Sequence, residues 1–201
     1  MFSGIIEDQG DVLGYKKLET CARLRVSKPD YFNDIKPGDS ISVNGVCLTV
    51  ENFTNEEIQF VLAMETLTVT GWGDGELSEA KVNLERSLSL DARIHGHLVT
   101  GHVDAMGEVV STEKQGECLL LGVQFPKSLR EYIWEKGSLA INGVSLTINQ
   151  VEELTFYVCI IPETLKRTNL GALEKGSSVT LEIDNLARGL VHQQKILESE
   201  K

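Results

Sequence analysis

"NGVCLTV", residues Asn44–Val50, returns as "NGVSLTI", residues Asn142–Ile148, with one cysteine exchanged for a serine. Asn-Gly between alternating runs is a strong hairpin signal, because both central positions of the tightest hairpin turn need positive φ. Ile41 and Val43 alternate ahead of the turn, and Val46, Leu48 and Val50 alternate after it. Side chains of a strand point alternately to opposite faces, so Cys47 and Thr49 share the face away from these valines and leucine. The second copy sets Ser145 and Thr147 opposite Val144, Leu146 and Ile148. The phrase predicts a half-apolar β-ribbon, written twice.

Outward from this phrase the duplication continues. "SGIIEDQGDV" (Ser3–Val12) lines up with "TGHVDAMGEV" (Thr100–Val109), matching Gly4 to Gly101 and Gly10 to Gly107. "METL" at Met64 returns as "PETL" at Pro162, and "VNLE" at Val82 as "VTLE" at Val179. The matched pairs keep one order and a spacing of 97 or 98 residues, which is a tandem duplication. Each unit, roughly 90 to 97 residues, is large enough to fold by itself. The junction falls in "RSLSLDARIHGH", around Asp91–His97, giving units at 1–97 and 98–188 with a tail at 189–201. Toward that tail, Leu186, Leu190, Val191, Ile196 and Leu197 recur at mostly helical spacing, predicting an amphipathic helix. Its stripe either packs on its own unit or holds subunits together.

Further short strands are expected at "IQFVLAM", "KVNLE", "LLLGVQF", "FYVCII" and "SVTLEI", and a helix over "SLREYIWEKG" (Ser128–Gly137), ended by its glycine. Many short strands with glycine turns predict an all-β chain with a closed or nearly closed barrel in each half. With 201 residues, 41% hydrophobic and a formal charge of −11, the composition is that of a soluble globular protein. The acidity argues against nucleic acid and anionic membrane surfaces as partners, since both need clustered Lys and Arg. No secretory leader or membrane-length apolar run is read in the chain. Cys21, Cys47, Cys118 and Cys159 lie far apart with no CxxC pairing, which points to reduced thiols and a cytoplasmic location.

Two places carry polar groups suited to chemistry. The Cys47/Thr49 face either meets water or lines a site; Cys47 is a nucleophile when ionised and otherwise a small filler. "HGHLVTGHVD" gathers His95, His97, His102 and Asp104 at the junction. His-x-His permits a metal, but no Cys or Glu stands at a familiar ligand spacing, so no metal is expected. An acid–base histidine or a hydrogen-bonded structural one is the alternative.

"MFSGIIED", "GVCLTV", "GHLVTGHVD", "KGSLAINGVSLTI", "IPETLKRTNLG" and "VTLEID" together resemble the riboflavin synthase family over Met1 to about Arg188. The resemblance implies two tandem Greek-key six-stranded β-barrels with short helices and a C-terminal helix. It implies a dismutation of two molecules of 6,7-dimethyl-8-ribityllumazine, without cofactor, in which one gives a four-carbon unit to the other. Two copies of one substrate would explain the duplicated unit, and donor and acceptor roles would explain why the copies differ. By similarity, the first unit's pocket takes Gly4, Ile5 and Ile6 with Cys47, Leu48 and Thr49 and with Val61, Leu62, Ala63, Met64, Glu65 and Thr66. The second unit's pocket takes Gly101, His102 and Val103 with Ser145, Leu146 and Thr147 and with Cys159, Ile160, Ile161, Pro162, Glu163 and Thr164.

Catalytic roles implied by the resemblance fall to six residues. His102 moves protons, Phe2 packs over the ring or places the N-terminal segment, and Ser40 and Cys47 assist nucleophilic addition or orient a water. Lys136 reaches a neighbouring subunit's pocket, and Asp184 supports the site. His97 is expected to be structural. A homotrimer is implied, with lumazine synthase a candidate partner. Lumazine-binding antenna proteins that have lost catalysis are the rival within the same fold. The first copy departs from the pattern at "TVTGWGDGELSEA", and His95 stands where the family more often has glycine.

Overall fold

The Asn-Gly turns form as the residue pattern requires. In the computed structural model, which describes residues 1–74, 77 and 80–199, Asn44 and Gly45 have φ of 45° and 82°, and Asn142 and Gly143 have 46° and 80°. These turns join β3 (Ser40–Val43) to β4 (Val46–Phe53) and β9 (Ser138–Ile141) to β10 (Val144–Glu152). Val46, Leu48 and Val50 are buried while Thr49 is exposed and Cys47 half-buried, so the alternation decides which face packs.

Around each hairpin a six-stranded antiparallel barrel closes. The first adds β1 (Asp8–Lys17), β2 (Cys21–Ser27), β5 (Glu57–Ala63) and β6 (Lys81–Arg86), in the order β1-β2-β5-β4-β3-β6. The second adds β7 (Ala105–Gln115), β8 (Cys118–Gln124), β11 (Thr155–Ile160) and β12 (Ser178–Ile183), in the order β10-β11-β8-β7-β12-β9. Closure removes the unpaired edges that an open sheet of this size would present. Each barrel has its own apolar core, the first around Leu24, Ile41, Phe60 and Leu84, the second around Leu121, Ile141, Phe156 and Leu181.

Short helices follow the same strand in both halves: α1 (Met64–Thr70) after β5 and α2 (Pro162–Arg167) after β11. Trp72, in the segment that departs from the repeat, is buried in the first core just after α1. Gly75, Glu76, Ser78 and Glu79 of that segment lie outside the described residues.

Two expectations are corrected. Ser128–Gly137 does not form a helix through its length: a 3-10 turn covers Lys127–Tyr132, Ile133 is extended and buried, and Lys136 has φ of 64°. The chain must turn there to enter β9, and the N–H of Lys136 donates to the Ile148 carbonyl at 2.8 Å. The C-terminal helix, α3 (Asn185–Ser199), starts before residue 189 because the Asp184 carboxylate caps it, accepting from the Leu186 N–H at 2.9 Å. Leu186, Leu190 and Leu197 on it are 67%, 74% and 53% exposed while Val191 is half-buried, so most of its stripe is left uncovered by its own unit.

The two barrels meet about a pseudo-twofold axis. Phe2 and Val99, equivalent by the repeat, pair with each other through both backbone hydrogen bonds, at 2.7 and 3.0 Å. Gly45 and Gly143 approach so closely that a Cβ on Gly45 would lie 2.7 Å from the Gly143 nitrogen. Beside them Asn44 bonds the backbone of Asn83, and Asn142 that of Thr180, in matching fashion. Asn83 and Asn169 then bridge the halves through buried amide hydrogen bonds.

Candidate functional site

The segments that open each unit cross to the other barrel. Gly4 accepts from the Ser145 N–H at 2.8 Å, and Gly101 accepts from the Cys47 N–H at 2.9 Å. Ile6 is buried in the second barrel's core, and Val103 packs against the first. The expected grouping of Gly4–Ile6 with Cys47, and of Gly101–Val103 with Ser145, is therefore reversed. Each arm has left-handed glycine at its closest point, φ 73° at Gly4 and 80° at Gly101. A Cβ there would lie 2.6 Å from that of Ser145 and 2.5 Å from that of Cys47. Only glycine fits.

This crossing builds a first cleft of about 190 Å³ lined by Val46 and Cys47 of β4, Glu65, Thr66, Val69 and Thr70 of α1, and Gly101, His102 and Val103 of the crossing arm. Cys47, a nucleophile when ionised, and His102, a proton carrier, thus share one concavity. The His102 side chain is exposed at its mouth. Val46, Val69 and Thr70 line it as well, which the sequence reading did not list. Their signal lay in the helix following "VLA", where Val69 and Thr70 stand four residues after Glu65 and Thr66.

At the equivalent place in the second unit Ser145 stands where the first has Cys47 and Ile5 where it has His102, and Gly96 of the linker packs against Ser145. The histidine here comes instead from the linker between units: His97 Nδ1 shares a hydrogen bond with Ser145 Oγ at 2.7 Å. Burial lowers the His97 pKa, against the pull of the Asp184 and Glu182 carboxylates, and its Nε2 is buried without a partner. On α2 Glu163 is ion-paired to Arg167, one turn along.

Several predicted residues lie elsewhere. Leu48, Leu62 and Ile160 point into the barrel cores and Ile6 caps the second, because alternation sends every second side chain inward. Val61, Ala63, Met64 and Ile161 are exposed on the outer face, Thr49 and Thr147 beside them, while Leu146 is half-buried. Phe2 is fully buried on the pseudo-twofold axis, paired with Val99, and Cys47 of the first cleft packs against their cluster. Ser40 pairs with Thr49 two positions from Cys47 and lines a small groove with Asp34 and Arg86. Lys136 is exposed, outside the first cleft, in a left-handed conformation where the first unit has Gly38. Asp184 caps α3 and faces His97. Cys159, Pro162 and Thr164 lie on β11 and α2, with the Cys159 thiol pushed up by burial and by Cys118.

His95, His97 and His102 do not converge. His97 is on Ser145, His102 is in the first cleft and His95 lines a groove with Glu7 and Arg86. Among the described residues no group of three His, Cys, Asp or Glu is placed to hold a metal ion.

Two carboxylates escaped the sequence reading altogether. Glu85 accepts from the N–H groups of Ser3 and Gly4, and Glu182 from those of Thr100 and Gly101. Burial pushes the Glu85 pKa up to about 7 despite these bonds, with Glu7 adding to the shift. Their signal was present in the repeated "VNLE" and "VTLE": an acid conserved between copies at the end of an apolar strand.

The lumazine binding domain family matches residues 3–87 and again 100–184. The riboflavin synthase of Actinobacillus pleuropneumoniae is 39% identical over 184 residues, spanning 92% of this chain and 85% of its own. Among solved structures, LumP complexed with riboflavin superposes with a TM-score of 0.85 at 27% identity, over 92% of this chain and all of its own. LumP complexed with 6,7-dimethyl-8-(1'-D-ribityl) lumazine gives 0.82 at 26% identity, with the same coverage. With that domain present twice and such identity over nearly its whole length, the chain belongs to the riboflavin synthase family.

Proposed function

We propose that this chain converts two molecules of 6,7-dimethyl-8-ribityllumazine into riboflavin and 5-amino-6-ribitylamino-2,4(1H,3H)-pyrimidinedione. The observation that carries the reading is the pair of equivalent arm-on-strand junctions, Gly101 on Cys47 and Gly4 on Ser145, with unlike chemical groups beside them. A shared backbone frame suits two copies of one heterocycle; Cys47 with His102 on one side and Ser145 with His97 on the other suit unequal roles for them.

The substrate's 7-methyl group is acidic because the ring delocalises the charge its proton leaves behind. His102, at the mouth of the first cleft, accepts or returns that proton. A nucleophile adds to the electrophilic ring of the partner molecule, with Cys47 or Ser145 directing it. The four-carbon unit then passes from one ring to the other, and every atom of the two substrates appears in the two products. Fixing two rings face to face replaces a bimolecular encounter, an effect that reaches about 7–11 kcal/mol in well-oriented systems. A homotrimer facing the first cleft of one subunit with the Ser145 junction of the next brings the rings together, with Lys136 and α3 at the contact. Lumazine synthase as a supplier of substrate and a cytoplasmic location accompany this reading.

The likeness to LumP in complex with riboflavin and with the lumazine favours one second reading, a binding protein without turnover. Incubating the pure protein with the lumazine separates them. Formation of one riboflavin for every two lumazines consumed supports the synthase; tight binding with no riboflavin supports the binding protein and overturns the reaction.

A further inference from the structure

Ser3–Gly4 and Thr100–Gly101 are anchored alike, atom for atom. Glu85 Oε1 accepts from the Ser3 N–H at 2.7 Å and its Oγ–H at 2.9 Å, and Oε2 accepts from the Gly4 N–H at 3.1 Å. Glu182 Oε1 accepts from the Thr100 N–H at 2.6 Å and its Oγ1–H at 2.7 Å, and Oε2 accepts from the Gly101 N–H at 2.9 Å. Both side chains are buried, at 3% and 2% exposure. Among the described residues no ion pair reaches either. Holding a carboxylate out of water without a cation is costly. The donors it gathers offset that cost only while the arm stays in place.

At their closest approach to the opposite barrel the arms are glycine, tied to β10 or β4 by a single backbone hydrogen bond each, with Ile6 and Val103 packing two residues further on. We infer that Glu85 and Glu182 are positioning residues, each clamping its own unit's arm so that it sits on the other unit's strand, β10 or β4. Glu182 acts on the first cleft, because His102 follows directly on the clamped Gly101. Glu85 acts on the equivalent junction in the second barrel, through Gly4 and Ser145. The inference rests on the proposed reaction for its kinetic consequence, but the clamp itself can be tested without it.

The discriminating change is Glu182→Gln in the full chain. Glutamine has the same shape but one acceptor oxygen in place of two, so its NH₂ must face either the Gly101 or the Thr100 N–H. A displaced arm uncovers Cys47, which Gly101 covers. With iodoacetamide and site mapping by mass spectrometry, Cys47 in Glu182→Gln is expected to react at least about threefold faster than in the parent protein. Glu85→Gln leaves Cys47 unchanged, since its arm lies on Ser145, and Cys21, Cys118 and Cys159 keep their rates in both variants. With 6,7-dimethyl-8-ribityllumazine, kcat of Glu182→Gln falls about tenfold or more, and KM shifts less.

Equal Cys47 labelling in Glu182→Gln and the parent, or equal acceleration of all four thiols, overturns the clamp. If Glu182→Gln does not fold, Thr100→Ala, which removes one donor and keeps the carboxylate, decides: unchanged Cys47 labelling overturns it and faster labelling supports it. A parent protein that makes no riboflavin sinks the reaction, while the labelling still decides the clamp.

Discussion

In the first cleft the crossing arm brings His102 beside Cys47; at the equivalent junction in the second barrel the same arm position holds Ile5, and the histidine, His97, comes from the linker to meet Ser145. The backbone around them hardly differs. Each arm accepts one strand N–H, each is gripped by a buried glutamate, and a short helix follows the equivalent strand in each half. Duplication copied the frame and left the side chains free to diverge. The shared frame therefore lives in backbone groups and glycines, and the chemical difference between the halves in a few substitutions.

The largest effect expected to separate the halves is pH-dependent. Glu85 has a folded pKa of about 7 against an ordinary value of 4.5. Its protonated form is thus favoured by folding, and the associated stability is fully present below about pH 4.5 and lost as pH rises through 7. That is worth roughly 3 kcal/mol over the window. Denaturant titrations at pH 4.5 and 7.5 should show Glu85→Gln losing less stability across this range than the parent protein. An equal or steeper loss in the variant breaks the assignment.

Next comes turnover. His102→Ala should lower kcat about a hundredfold, just under 3 kcal/mol on the barrier, with lumazine binding changed far less. His97→Ala, which acts through Ser145, should cost less. Equal losses would make the halves functionally alike and break the comparison; unchanged turnover in His102→Ala rules out its proton-transfer role. Asn83→Ala strands partners in the buried amide network between the halves and should cost about 2 kcal/mol by denaturant unfolding. A cost near zero would mean that water replaces the amide. Smallest is Cys47→Ser, which makes the first junction resemble the second: the fold is kept and the rate falls about fivefold, roughly 1 kcal/mol. Full activity would show the thiol only fills space.

Strands were legible because alternation has a short period and a buried face enforces it, as at Val46–Val50. The Asn-Gly turns were legible because backbone sterics leave few alternatives at positive φ. Ser128–Gly137 misled because its composition suits a helix, while the need to enter β9 at Ser138 cut it to one 3-10 turn. Cys47, Glu65 and Thr66 meet the Gly101–Val103 arm in one cavity, although the sequence reading divided these segments between two pockets. Leu48 and Leu62 were read into it only because neighbours in sequence were taken together, although alternate side chains face opposite sides.

By itself the sequence determined two equal all-β units, their hairpins, the inward and outward faces, and the family. Which arm sits on which strand was decided only by the tertiary structure. After a duplication, Gly4 on Cys47 and Gly4 on Ser145 are nearly the same contact, so residue pattern cannot rank them. Phe2 pairing with Val99 on the axis, Ile6 in the second core and Val103 against the first rank them. Packing of the whole molecule separates two arrangements that local chemistry leaves equal.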